Sequence, residues 1–335
     1  MKKRLPAHML LILLLVLCAG LLGAAFLVGS SGISIGELMA LIRGDAPTAV
    51  ETVFLQLRLP RAIGALLVGA ALSLSGCTLQ SVFRNPMADP FVLGISAGAA
   101  LGAAVAMAFG GTTSAAGSSL AALLSFASAL LTIAVVYTIA RVHGRVSTFS
   151  LLLSGFTMSS LLSALLSLLM ILNRDKMEQV VMWTMGSLSA MSWEKVLVVL
   201  PLVAVCAALL MLQARTLNVM LSGDESAESL GVDTHRARRN VLILTSLLAA
   251  AAVSVSGVIG FVGLMVPHLL RLASGPDNRT LMPLSLAGGA AYLLFCDMLA
   301  RTVVPGRELP VGVVTAILGV PFFIVLLHRS RGSSA

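Results

Sequence analysis

The chain has 335 residues, of which 58% are hydrophobic and only 11% charged. A soluble domain carries about 25% charged residues, so water is excluded as the solvent for most of this surface. The net charge of +8 comes with 5% aromatics. No basic stretch holds the interleaved rings that a nucleic-acid surface uses, so the bilayer is the expected partner and nucleic acid is not.

A spanning helix needs about 20 apolar residues to cross a core of about 30 Å. Ten apolar runs are candidates: 8–29, 62–82, 91–110, 117–140, 147–172, 193–213, 239–259, 260–274, 281–303 and 311–328. They are unbroken Leu/Ala/Val runs rather than short alternating segments, which predicts helices and not a β-barrel. The expected fold class is all-α integral membrane, about ten transmembrane helices in one domain covering 1–335.

The first run follows Met1-Lys2-Lys3-Arg4 and resembles a signal peptide. Leu17 precedes Cys18, where lipid modification wants a small residue, and the run continues to Val28, so an uncleaved span is expected. Residues 30–60, with Glu37, Asp45 and Glu51, read as a loop. Gly94, Gly98 and Gly102 recur every four residues and predict one close-packing helix face. Residues 173–192 read as a second loop, with a short interfacial or re-entrant helix over 179–186.

Residues 214–239 are the most polar segment. Gly223 and Gly231 punctuate it, and Asp224-Glu225-Ser226 reads as the capped start of a short helix. A connection this long is either disordered or functional. The apolar Leu217, Met220, Leu221, Ala227 and Leu230 favour order, as a pair of short helices facing a partner. The boundary between the seventh and eighth runs falls in 257–263. Pro201, Pro267 and Pro321 each interrupt a span, as is common where helices bend around a pathway. Cys18, Cys77, Cys206 and Cys296 are scattered, with no metal or disulfide spacing.

With the N-terminus inside, fourteen of the 22 basic residues fall on the cytoplasmic side and eight outside, which places both termini in the cytoplasm. Arg58, Arg61 and Arg301 lie at span ends on the disfavoured side. They read either as snorkelling residues or as a docking surface for an acidic partner.

Other chemistry is weaker. Gly94-Ile95-Ser96-Ala97-Gly98 matches a serine-hydrolase pattern but opens an apolar helix, and His268 is the one base that could approach Ser96. Asp297 is an intramembrane acid, functional by default, with Arg301 four residues on as the simpler ion-pair partner. No chain of acids marks a proton-coupled carrier. G-x-x-x-x-G-K-[ST] is absent from the sequence, so an ATP-driven process would need its motor on another polypeptide.

Several segments together resemble one family, the FecCD-type permeases of iron-siderophore, heme and vitamin B12 ABC importers. They are Leu57-Arg58-Leu59-Pro60-Arg61, Gly76-Cys77-Thr78-Leu79-Gln80, Arg84-Asn85-Pro86-Met87-Ala88-Asp89-Pro90 and Leu93 to Gly98. Further on come Ser229-Leu230-Gly231, Gly260-Phe261-Val262-Gly263-Leu264, Val266-Pro267-His268, and Glu308 to Thr315 with Gly319 and Pro321-Phe322-Phe323.

The resemblance implies a type II ABC importer permease in a bacterial cytoplasmic membrane, with no cofactor of its own. ATP and Mg would be held by two partner ATPase subunits. A second permease copy, expected to be identical, and an extracytoplasmic binding protein would complete the assembly. It assigns ATPase coupling to Leu217, Met220, Leu221, Ser222, Gly223, Asp224, Glu225, Ser226, Ala227, Leu230, Gly231 and Val232. Binding-protein docking falls to Arg58, Arg61 and Arg301, and an inner turn to Arg84, Asn85, Pro86, Asp89 and Pro90. A cytoplasmic gate falls to Ser147, Thr148 and Phe149. A B12 permease would carry a small hydroxyl residue at position 149, where this chain has Phe149; the expected cargo is a ferric siderophore first, heme and cobalamin next, and oxyanions such as molybdate last. The remaining rivals are a secondary transporter and an intramembrane hydrolase.

Overall fold

The computed structural model describes residues 6–27, 35–45, 47–110, 115–142 and 145–332. Lys2, Lys3 and Arg4, part of the charge count, lie outside them. The chain opens with α1 (Ala7–Leu27), α2 (Ile35–Arg43), α3 (Thr48–Thr52), a π turn (Val53–Arg58) and α4 (Leu59–Val82). A 3-10 turn (Pro90–Leu93) leads into α5 (Ile95–Gly110) and α6 (Ala115–Ala140). A minimal hairpin of β1 (Arg141–Val142) and β2 (Arg145–Val146) precedes α7 (Thr148–Leu172), α8 (Met177–Thr184) and α9 (Trp193–Leu212). The polar segment forms α10 (Ala214–Met220) and α11 (Asp224–Ser229). Four long or apolar helices close the chain: α12 (Thr234–Ser256), α13 (Val262–Ser274), α14 (Asn278–Thr302) and α15 (Val311–Gly332).

Among the described residues, seven helices are long and apolar enough to span a membrane, and shorter apolar helices at Ile95–Phe109, Val262–Ser274 and Val311–Val325 complete the expected ten. The loop expected over 30–60 is largely helical, with α2 at Ile35–Arg43. Residues 48–60 are not loop, because α3, the π turn and α4 run as one helix of 35 residues, Thr48–Val82. Pro60 has no N–H, and its ring presses on the carbonyl four residues back. The π turn just before it loosens the ladder, so the apolar run from Val53 joins the span. Pro201, Pro267 and Pro321 likewise sit inside α9, α13 and α15 without ending them.

Helix α4 forms the centre, packed on α14, α12, α13 and α9. Ser81 meets Asn278 at one end and Arg61 meets Asp297 at the other, so α4 and α14 are antiparallel. Missing side chains set the contact. A Cβ on Gly69 would lie 2.2 Å from the Gly289 carbonyl, and one on Gly289 2.3 Å from the Gly69 carbonyl. Gly76 comes still closer to α13, its absent Cβ 1.7 Å from the Gly263 carbonyl.

The break between α12 and α13 is residues 257–261. Gly257 takes φ +70° and Phe261 φ +69°, both left-handed. Helix α8 docks there, with Ser187 N–H donating to the Ser256 carbonyl at 2.7 Å and Gly186 fitting against Val258. The short helix expected over 179–186 is therefore anchored on this break by its C-terminal end.

Candidate functional sites at the two ends of the bundle

Three arginines and two carboxylates gather at one end. The residues between Thr48 and Arg61 are helical, which turns Arg58 and Arg61 inward rather than leaving them on a loop. Arg58 is 6% exposed and donates to the Phe26 carbonyl. Arg61 donates from Nε to both oxygens of Asp297, at 3.0 and 3.2 Å, and its Nη1 lies 2.8 Å from Glu308 Oε2. Arg301, one helical turn beyond Asp297, completes the cluster with Nε 3.1 Å from Asp297 Oδ2. Asp297 is fully buried. A lone carboxylate there would be costly, and two guanidiniums pair with it.

The expected Asp297–Arg301 pair is therefore present but incomplete without Arg61 and Glu308. The three arginines do come together. Arg61 and Arg301 are, however, drawn against carboxylates of their own chain, and the half-exposed Glu308 is the group nearest solvent. Glu308 was the missed member. An intramembrane acid flanked by more than one arginine was the available signal, but which arginine reaches it depends on how α4 crosses α14.

The opposite end carries α10 and α11. Leu217, Met220 and Ala227 are buried, and Met220, Ala227 and Ala237 form a small core with Val232 packed on it. Leu221 and Leu230 stay exposed, Leu230 at 71%. Ser222 bonds back to the Val219 carbonyl, and Glu225 and Ser226 face outward. Asp224 does not cap α11, whose N-cap is Gly223 at φ +114° with no side-chain bond. Asp224 instead lies 2.8 Å from Arg238 and 3.8 Å from Arg84. The two arginines compete for its carboxylate, so the turn is built by glycine alone. Gly231 is also left-handed, at φ +83°. The cap of the next helix is Asp233, which accepts from Arg236 N–H.

The inner turn folds on its own side chains. Asn85 Oδ1 accepts from Met87 N–H and Asp89 Oδ1 from Phe91 N–H, an Asx pattern that Pro86 and Pro90 stiffen. Burial pushes the Asp89 carboxyl up to about 6, against the pull of the Phe91 N–H. Arg84, left-handed at φ 49°, turns toward Asp224. Gly94 closes the 3-10 turn at φ +84°, while Gly98 and Gly102 meet α6 so closely that added Cβ atoms would lie 2.2 Å from Thr132 Oγ1 and 2.3 Å from the Leu124 carbonyl.

Ser147 caps α7 by accepting from Ser150 N–H, Thr148 begins the helix, and Phe149 is 74% exposed. Farther along α7, Thr157, Ser160 and Ser167 are exposed but donate to carbonyls four residues back.

Sequence reasoning missed a polar knot beside α10. Asn218 Oδ1 accepts from both N–H (2.8 Å) and Nδ2 (3.0 Å) of Asn278, and Asn218 Nδ2 donates to Asp277 Oδ1 at 2.6 Å. Ser81 donates to Asn278 Oδ1 at 2.7 Å. Arg279 and Asn218 hold the Asp277 carboxyl well below the usual range, Arg279 more strongly. Nothing local in the sequence pairs residues 60 apart.

The fold and these ends define a class: a helical membrane transporter with an ordered polar segment at one end and a buried ionic cluster at the other. The chain belongs to the FecCD transport family, which it matches over residues 10–329. It is thus a multi-pass permease of an ABC importer. It is 41% identical to the hemin transport system permease of Yersinia pestis, covering 98% of this chain and 97% of that protein. It is 43% identical to the cobalamin import system permease of Halobacterium salinarum, covering 84% and 75%. A solved metal-chelate type ABC transporter in an inward-facing conformation superposes with a TM-score of 0.85 at 34% identity, covering 95% of this chain and 98% of that one.

Proposed function

We propose that this permease carries an iron chelate, a ferric siderophore in the first instance, from a binding protein into the cytoplasm by alternating access. The observation that carries the reading is the exposed face of α7. Thr157, Ser160 and Ser167 lie on exposed α7 positions among Phe156, Leu161 and Leu168, a face of mixed polarity that suits the wall of a pathway. Their donors are spent on the helix's own carbonyls. Such a wall wets without gripping, which suits a large chelate passing between two copies of the chain. Among the described residues no three of His, Cys, Asp and Glu gather to hold a metal ion.

The exposed Leu221 and Leu230 suit an ATPase groove, with ATP and Mg held on that partner. The arginine end then faces the binding protein, whose acids would exchange for Glu308 at Arg61. In this reading both termini are cytoplasmic, and the second permease is an identical copy. A hemin cargo is the second reading, favoured by the nearly full-length match to a hemin permease. Phe149 fills a position where a cobalamin permease should be small.

The test is uptake in a strain lacking the gene, with radiolabelled ferric siderophores, hemin and cobalamin offered separately. Loss of siderophore uptake alone, restored by the wild-type chain, supports the first reading. Loss of hemin uptake alone moves the assignment to the second, and loss of cobalamin uptake overturns both.

A further inference from the structure

The segment α10–α11 is short, and a partner pushing on it can act on transport only through whatever fastens it to the spanning helices. Besides the small apolar core shared with Ala237 of α12, two sets of polar ties fasten it. Helix α11 is tied by Asp224 to Arg238 and Arg84, with the carboxylate and Arg84 both more than a third exposed. Water screens the 3.8 Å Arg84 pair, which holds little, while the better buried Arg238 makes the closer tie. Helix α10 is tied differently. Asn278 is fully buried, and its N–H, Nδ2 and Oδ1 are all engaged, the first two by Asn218 and the third by Ser81. Asn218 uses its remaining donor on Asp277. One amide on α10 thereby fixes the last turn of α4 and the first turn of α14 together. The Ser81–Asn278 bond is buried and the two Asn218–Asn278 bonds are partly so, and slippage by an ångström leaves the fully buried Asn278 amide unsatisfied.

From that knot α4 and α14 run side by side for about 30 Å, at 1.5 Å per residue, locked midway by Gly69 on Gly289. They end at the Arg61–Asp297 pair. We propose that Asn218, with Asn278 and Ser81, is the joint through which motion of α10 is delivered to α4 and α14 as one body and so to the arginine end. Asn218 is a positioning residue in this scheme. The inference rests on the reading of α10–α11 as the ATPase-coupling segment.

The test uses the full complex of this permease, its ATPase and its binding protein in proteoliposomes. Asn218→Ala is expected to keep the ATPase bound on co-purification. Chelate uptake, and the stimulation of ATP hydrolysis by loaded binding protein, should both drop about tenfold or more, the equilibrium equivalent of one lost buried bond. Ser81→Ala should show the same split more weakly, while Ser81→Thr, which keeps the hydroxyl, should stay close to wild type. Uptake and stimulation within about twofold of wild type in Asn218→Ala, where a lost buried bond predicts far more, would overturn the joint. If Asn218→Ala does not fold, Ser81→Ala against Ser81→Thr decides, and equal activity of that pair counts against the proposal. If substitutions at Leu230 and Gly231 leave ATPase binding and uptake untouched, the coupling reading itself has failed, a result separable from failure of the joint.

Discussion

Helices α4 and α7 have comparable length and hydropathy, yet they live in opposite surroundings. In their most apolar stretches, 83% of the helix ending at Val82 is buried and 11% of α7. The difference is side-chain size. Helix α4 places Gly64, Gly69 and Gly76 among alanines and serines, and three neighbours approach its backbone. Helix α7 carries leucine at ten of its 25 positions, and its one glycine, Gly155, meets the Val92 carbonyl closely. In a bilayer apolar surface gains nothing by leaving lipid, so close van der Waals approach decides which helices are central.

The strongest way to break this comparison is to give α4 a leucine of its own. Gly76→Leu should abolish folded protein, because backbone of α13 occupies the space and overpacking cannot relax there. Recovery of a monodisperse peak in detergent size-exclusion would show that α4 is not the packing centre. Next in size is Arg61→Ala, which leaves Asp297 buried with half its compensation. A loss of about 3–5 kcal/mol is expected for breaking such a pair, read as a lowered melting temperature in detergent. Adding Asp297→Asn should restore part of it.

A smaller effect is expected at the turn leaving α4. Asp89 is raised to about 6 from an ordinary value of about 4, so the fold favours its neutral form. The folded state therefore loses stability as pH climbs from about 4 through 6, where the unfolded chain ionises first. Asp89→Asn keeps an acceptor for Phe91 N–H and removes that loss. Its melting temperature should exceed wild type by a few degrees at pH 7 and match it below pH about 4. A constant offset at every pH would mean that the carboxyl is not perturbed. Smallest in stability should be Ser160→Leu on α7, with unchanged folded yield. Uptake of the chelate should nonetheless fall, since a bulky side chain enters the proposed path. Unchanged uptake would place that face against lipid.

The sequence was legible where one residue's own neighbours decide. Runs of apolar residues located the ten helices, and polarity with glycine punctuation located α10 and α11. It misread 48–60, because the π turn that carries the helix through Pro60 has no local signature. Asp224 looked like a cap because Asp commonly caps. Two arginines, one of them 140 residues away at Arg84, took its carboxylate instead. Glu308 and the Asn218–Asn278–Ser81 knot were illegible because each joins segments distant in the chain.

By itself, the sequence determined the solvent of this protein and its helix inventory, since hydrocarbon admits few structures whose backbone groups satisfy one another. It also carried the family, in motifs set by turns and close contacts. Only the tertiary structure decided which helices are central and which arginines meet Asp297. It alone showed that a buried asparagine binds the polar segment to α4 and α14. Those outcomes depend on glycine-sized gaps and on donors and acceptors brought together from remote parts of the chain, and no local pattern encodes them.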